Sequence, residues 1–143
     1  MTKDPFLAQL NIFFSGTDKP ECVRHMITDD FTRYYASTYS GTNGQKCDST
    51  LAEGWYRFLT KRMATNYYST SSQSGYCDTY YQGYLTGGHP SVKDGRVTRK
   101  VCFYYYYSST CYYSVYIKVR NCGSYYVYKL KPTPNCNLRY CTN

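Results

Sequence analysis

The chain has 143 residues, among them 21 tyrosines and eight cysteines, and a formal net charge of +8. That length suits one domain rather than two, and no stretch is apolar enough for a membrane-spanning helix. Leu, Ile, Val and Phe make up only about one residue in six, so the tyrosine rings and a set of cross-links must supply what a small aliphatic core cannot.

Residues 1–20, "MTKDPFLAQLNIFFSGTDKP", read as an N-terminal arm or linker, and residues 21–143 as one disulfide-rich domain. The arm lacks the pattern of a secretory signal. Asp4 and Pro5 follow the first lysine, Gln9 and Asn11 break the apolar run, and no small-residue cleavage site follows. The expected chain is a mature form or excised module of a secreted protein. Leu10, Ile12, Phe13 and Phe14 form a short extended apolar segment. Such a segment can add as a strand to a neighbour's sheet edge, or serve as the first strand of its own domain.

"SGTNGQ" (40–45) and "YSTSSQSG" (68–75) are polar loops by composition. The stretch 49–64, "STLAEGWYRFLTKRMA", has two readings. Leu51, Trp55, Phe58, Leu59 and Met63 fall near helical spacing. "GWYRFLT" reads instead as a strand, with Trp55, Arg57 and Leu59 on one face and Tyr56 and Phe58 on the other. The aromatic run after a glycine favours the strand. Gly87-Gly88 and Asp94-Gly95 then mark turns.

From Val97 the chain alternates with period two, the signature of a strand. Val97, Arg99, Val101, Phe103, Tyr105 and Tyr107 share one face; Thr98, Lys100, Cys102, Tyr104 and Tyr106 share the other. After "SST" (108–110), Cys111, Tyr113, Val115, Ile117 and Val119 alternate with Tyr112, Ser114, Tyr116 and Lys118. The two strands form a hairpin, which a Cys102–Cys111 bridge would close near its tip. A third strand, "SYYVYKL" (124–130), follows. The tyrosines thus serve a sheet first, through β-propensity and buried area. Their number exceeds what one buried face can use.

The cysteines are Cys22, Cys47, Cys77, Cys102, Cys111, Cys122, Cys136 and Cys141. No pair has the two-residue spacing of a zinc knuckle, and there are two histidines, His25 and His89. Cys22 and His25 stand three apart, but four disulfides in an oxidising, extracellular compartment are the expected state, with no metal and no cofactor.

"GWYRF" (54–58), "GGHP" (87–90), "GRVTRKVC" (95–102), "IKVRNC" (117–122), "YYVYKL" (125–130) and "CNLRYC" (136–141) occur in order. In this the chain resembles the eight-cysteine domain of the uromodulin and pancreatic granule glycoprotein family, over roughly residues 20–143. The resemblance implies a mostly β, disulfide-stapled, secreted and non-catalytic module built on antiparallel hairpins. It also implies the pairings Cys22–Cys122, Cys47–Cys136, Cys77–Cys141 and Cys102–Cys111. Two departures stand out. Tyr84 occupies a position where family members carry tryptophan, in a turn that here reads "YLTGGHP". None of the seven asparagines heads an N-x-S/T sequon, so an N-glycan-borne decoy role known in relatives is not implied here. The separate polymerising module of uromodulin has no counterpart either, so any assembly must use this domain's own surfaces.

No nucleophile elbow, phosphate-cradling loop or metalloprotease helix is present, and the chain is not expected to be an enzyme. Glu53 and the pair Asp29-Asp30 read as solvated charge, and His89 as a turn residue packed on the sheet. The basic residues are spread out: Lys61-Arg62, Arg96, Arg99-Lys100, Lys118, Arg120, Lys129, Lys131 and Arg139. Arg99, Lys118 and Lys129 mark a wet sheet face or blunt a sheet edge. Acidic glycans fit the compartment better than nucleic acid, which is not an expected partner.

Two functional classes follow. One is a structural or adhesive extracellular protein that forms homo-oligomers or filaments through the arm and a tyrosine-rich surface. The other is a recognition module for an extracellular protein or acidic glycan. The candidate surface is Tyr104, Tyr106, Tyr112, Tyr116, Lys118 and Arg99.

Overall fold

The long hairpin organises the fold. Strand β4 (Val97–Tyr105) pairs antiparallel with β5 (Ser109–Asn121) in a computed structural model that describes residues 19–37, 46–69 and 75–143. The arm segment Leu10, Ile12, Phe13 and Phe14 lies outside the described residues, as does most of both polar loops. The favoured strand reading holds at β2 (Gly54–Phe58), with Tyr56 and Phe58 buried and Leu59 exposed just beyond its end. The remaining strands are β1 (Met26–Thr28), β3 (Tyr81–Leu85), β6 (Tyr126–Leu130) and β7 (Leu138–Tyr140). One four-residue helix, α1 (Pro20–Val23), precedes β1.

These seven strands form one mostly antiparallel sheet in the order β1-β2-β6-β5-β4-β3-β7. Its two outermost pairings, β1 with β2 and β3 with β7, are parallel, so the hairpin rule applies to the centre and not to the edges. Four disulfides tie the sheet: Cys22–Cys122, Cys47–Cys136, Cys77–Cys141 and Cys102–Cys111. Three of them span 64 to 100 residues and clamp the front half of the chain to its tail.

The core lies on the face of Val101, Phe103, Val115, Ile117, Val119, Tyr128 and Leu130, with Leu85, Leu138 and Tyr140 completing it. Three tyrosine rings enter it, and each hydroxyl is satisfied. Tyr56 donates to the Ala52 carbonyl at 2.7 Å and Tyr140 to the Lys131 carbonyl at 2.7 Å. Tyr128 accepts from the Met63 N–H at 2.9 Å. This is how a chain poor in aliphatics fills a core: rings bring the area, and backbone partners remove the cost of burying an O–H.

Along β5 the alternation is clean beyond Tyr113: Val115, Ile117 and Val119 are buried, while Ser114, Tyr116 and Lys118 are exposed. Near the tip it breaks. Strict period two puts Cys111 on the core side with Tyr113, whereas Cys102, opposite Ser114, faces outward. The register shifts between Phe103 and Tyr105, and Cys111 reaches Cys102 on the outer side. Such an irregularity re-aims side chains without ending the ladder.

Candidate functional site

The outer face of the sheet is built from charges. Glu21 on α1 is 2% exposed and takes two arginines at once. Arg96 donates through Nε and Nη2 at 3.1 and 2.9 Å, and Arg120 through Nη1 at 2.6 Å. Burial opposes the charge of Glu21, but these hydrogen bonds outweigh it and hold its carboxyl below the ordinary carboxylate range. The arrangement lays α1 over the outer face, where Val127 of β6 is fully buried beside Arg120. The Tyr125 hydroxyl, donating to the Cys22 carbonyl, and the Cys22–Cys122 disulfide secure the same contact.

Buried Asp48 and half-buried Asp30 play similar parts. Asp48 takes both terminal nitrogens of Arg33 at 2.8 Å and accepts from the Tyr140 N–H at 2.8 Å. Asp30, expected as solvated charge, instead accepts from the Thr32 N–H and pairs with Arg139 across the chain. Burial works against its charge, while the Thr32 hydrogen bond and the Arg139 cation hold its pKa below the ordinary value. Arg139 is itself buried and also donates to the Thr32 hydroxyl and the Cys77 carbonyl. His89 packs on Tyr126 with ring centroids 4.4 Å apart. Cys22 is bonded to Cys122, and His25 Nδ1 lies 2.9 Å from the Glu21 carbonyl, so the Cys22/His25 spacing is part of the frame. Among the described residues no group of His, Cys, Asp or Glu is arranged to hold a metal.

The six residues of the candidate interaction surface do not come together. Tyr104 is 9% exposed, because Tyr67 stacks flat on it with centroids 4.0 Å apart. Tyr67 also meets Tyr84, whose hydroxyl donates to the Thr110 carbonyl. Tyr112 joins Tyr81, Tyr105 and Tyr113 at the tip of the hairpin, and Tyr106 contacts Tyr107. Arg99 donates to the Gly88 carbonyl from the first half of β4. Tyr116 and Lys118 remain on the wet face, where Lys118 reaches the Thr98 hydroxyl and stands opposite Lys129. Since β4, β5 and β6 are interior strands, none of these cations blunts an edge: Lys118 and Lys129 mark the wet outer face, while Arg99, opposite Ile117, stands on the core side. The tyrosine surplus is consumed largely by rings packing on rings, with the hairpin tip as an exposed cluster.

A cluster that sequence order conceals appears between two turns. Arg57 and Leu59 at the end of β2, the turn at Thr60, Lys61 and Arg62, and the turn at Gly123, Ser124 and Tyr125 line a groove of about 500 Å³, which Tyr126 and Asn143 complete. The Arg57 guanidinium lies 3.9 Å from the Tyr125 ring centroid, and Lys61 Nζ lies 4.9 Å from that of Tyr34. No aspartate or glutamate lines the groove. The adjacent pair Lys61-Arg62 was the visible signal for it; the contribution of Arg57 depends on how the two turns meet.

Residues 56–142 match the uromodulin-like eight-cysteine domain. The chain belongs to that family. A relative, pancreatic secretory granule membrane major glycoprotein GP2 of Rattus norvegicus, is 36% identical over 85% of this chain and 23% of its own length. Uromodulin of Rattus norvegicus is 38% identical over 82% of this chain and 18% of its own length. GP2 of Homo sapiens is 34% identical over 85% of this chain and 22% of its own length. The chain thus spans less than a quarter of these relatives. It is a cysteine-rich domain of this glycoprotein family, with a frame of four disulfides, and it carries tyrosine clusters at its surface.

Proposed function

We propose that this uromodulin-like domain is a non-enzymatic, extracellular structural and adhesive module that associates with further copies of itself at the β1 edge of its sheet. The observation that carries this reading is the contrast between the two sheet edges. At β7 the edge is covered: the Asp48 N–H donates to the Leu138 carbonyl and the Asp48 carboxylate takes the Tyr140 N–H. At β1 no strand lies beyond among the described residues, and Val23 and Ile27 are 78% and 57% exposed. An open edge flanked by apolar side chains is a template for strand addition. The disulfide frame and the family support an oxidising compartment. Glu21, Asp30 and Asp48 are engaged in holding distant segments together, which supports a structural use of the titratable groups. Most tyrosine rings pack on one another, and the exposed cluster at the hairpin tip lies away from β1, so the edge is the assembly route in this reading.

Light scattering across concentration tests it, with the disulfides intact. The expected result is growth with concentration that Ile27→Lys abolishes. A monomer at every concentration would overturn the assembly route. A second reading, recognition of an extracellular ligand, is favoured by the basic groove.

A further inference from the structure

We propose that the groove at Arg57, Lys61 and Arg62 is a binding site for the oxyanion of an acidic saccharide, a sulfate or a carboxylate. Of the six arginines outside the groove, Arg24 and Arg99 form no ion pair with a described residue and four are paired. Arg33, Arg96, Arg120 and Arg139 each meet a carboxylate of Asp48, Glu21 or Asp30. Arg57, Lys61 and Arg62 form no ion pair with a described residue. Three cations gathered at one groove without an acidic side chain repel one another, and a bound anion relieves that repulsion.

The geometry of Arg57 sharpens the inference. Its guanidinium is oriented by the Tyr125 ring, and Tyr125 is in turn tied through its hydroxyl to the Cys22 carbonyl. Its Nε is buried without a hydrogen-bond partner among the described residues, as are those of Arg33 and Arg120, so it is the terminal nitrogens that remain for a ligand. An oriented guanidinium edge matches a carboxylate or sulfate by two parallel N–H···O bonds. Lys61 and Arg62, both exposed on the adjoining turn, add positive charge at the rim. The groove volume lies within the range that holds a small ligand. Ser124 adds a hydroxyl to the wall for a neighbouring sugar hydroxyl. The saccharide as the source of the anion rests on the extracellular reading; the oxyanion chemistry does not.

The test is calorimetric titration of the disulfide-intact chain with a heparin-derived sulfated tetrasaccharide, with 3′-sialyllactose and with neutral lactose. Binding of either acidic probe, and not of lactose, is the expected result, and which acidic probe binds identifies the source of the anion. The double variant Lys61→Gln/Arg62→Gln, both positions exposed and outside the core, should weaken binding roughly tenfold or more, given the size of charge-assisted hydrogen bonds. Arg57→Gln should weaken it at least as much, with thermal unfolding checking that the fold survives. The control Lys118→Gln/Lys129→Gln removes the same charge from the wet face and should leave binding unchanged. Equal loss in the control would show attraction to net charge alone and overturn the site. So would binding of lactose as strong as that of the acidic probes, or no binding of either acidic probe. Scattering reports on edge assembly separately, so either proposal can fail without the other.

Discussion

His89 Nε2 lies 2.7 Å from the Tyr128 hydroxyl, which already accepts the Met63 N–H. The two groups share one hydrogen bond, and which of them donates is set by the tautomer of the His89 imidazole. Burial disfavours its charged form, and Arg62 and Arg99 add to the effect, bringing its pKa from 6.5 down to about 4.

Stability should therefore depend on pH through this residue. Between pH 6.5 and about 4 the unfolded chain binds a proton at His89 that the folded chain refuses. Folding is then weakened progressively as pH falls through that window, and the effect levels off below it. Glu21 and Asp30, whose pKa values are lowered, contribute stability that is lost only as pH falls further, from the ordinary carboxylate range downward. Urea midpoints measured from pH 7 to pH 4 should decline, and His89→Gln should flatten the upper part of the decline. An unchanged slope in that variant would assign the dependence elsewhere.

Gly83 should tolerate no side chain. It sits inside β3 between β4 and β7, and an added Cβ would stand 2.7 Å from Phe103 Cε1 and 2.8 Å from the Arg139 carbonyl oxygen. Phe103 is fully buried and the other contact is backbone, so neither can move away easily. Gly83→Ala should cost about 2–3 kcal/mol, as overpacking does, read as a lower urea midpoint at unchanged m.

The disulfides should differ in weight. In the chain-entropy view, the Cys22–Cys122 bridge, closing 100 residues, stabilises by roughly 4.7 kcal/mol, and the Cys102–Cys111 bridge, closing nine, by roughly 2.6 kcal/mol. Replacing Cys102 and Cys111 by serine should lower the melting temperature and keep the fold. Replacing Cys22 and Cys122 should lower it more and release α1 from the outer face, visible as faster amide exchange at Arg120 and Val127. Equal losses from the two pairs would contradict this ranking.

How much of this was legible beforehand follows from the range of each interaction. The β4–β5 hairpin was readable because alternation is a property of adjacent residues, as was the choice of strand over helix at Trp55 and Tyr56. The re-aiming of Cys111 was not, since a shift of register at one point leaves no mark on the pattern around it. Tyr104 looked like surface on period alone; Tyr67, from a loop 37 positions earlier, made it interior.

Composition and local order by themselves thus determined a β-sheet domain with too few aliphatics and enough cysteine and tyrosine to compensate. Only the tertiary structure decided the use of charge. Arg139 meets Asp30 over 109 residues and Arg120 meets Glu21 over 99, and once those partners are matched, Arg57, Lys61 and Arg62 are left together. The reason is physical: periodicity records which face a side chain occupies, while an ion pair depends on which distant segment arrives there.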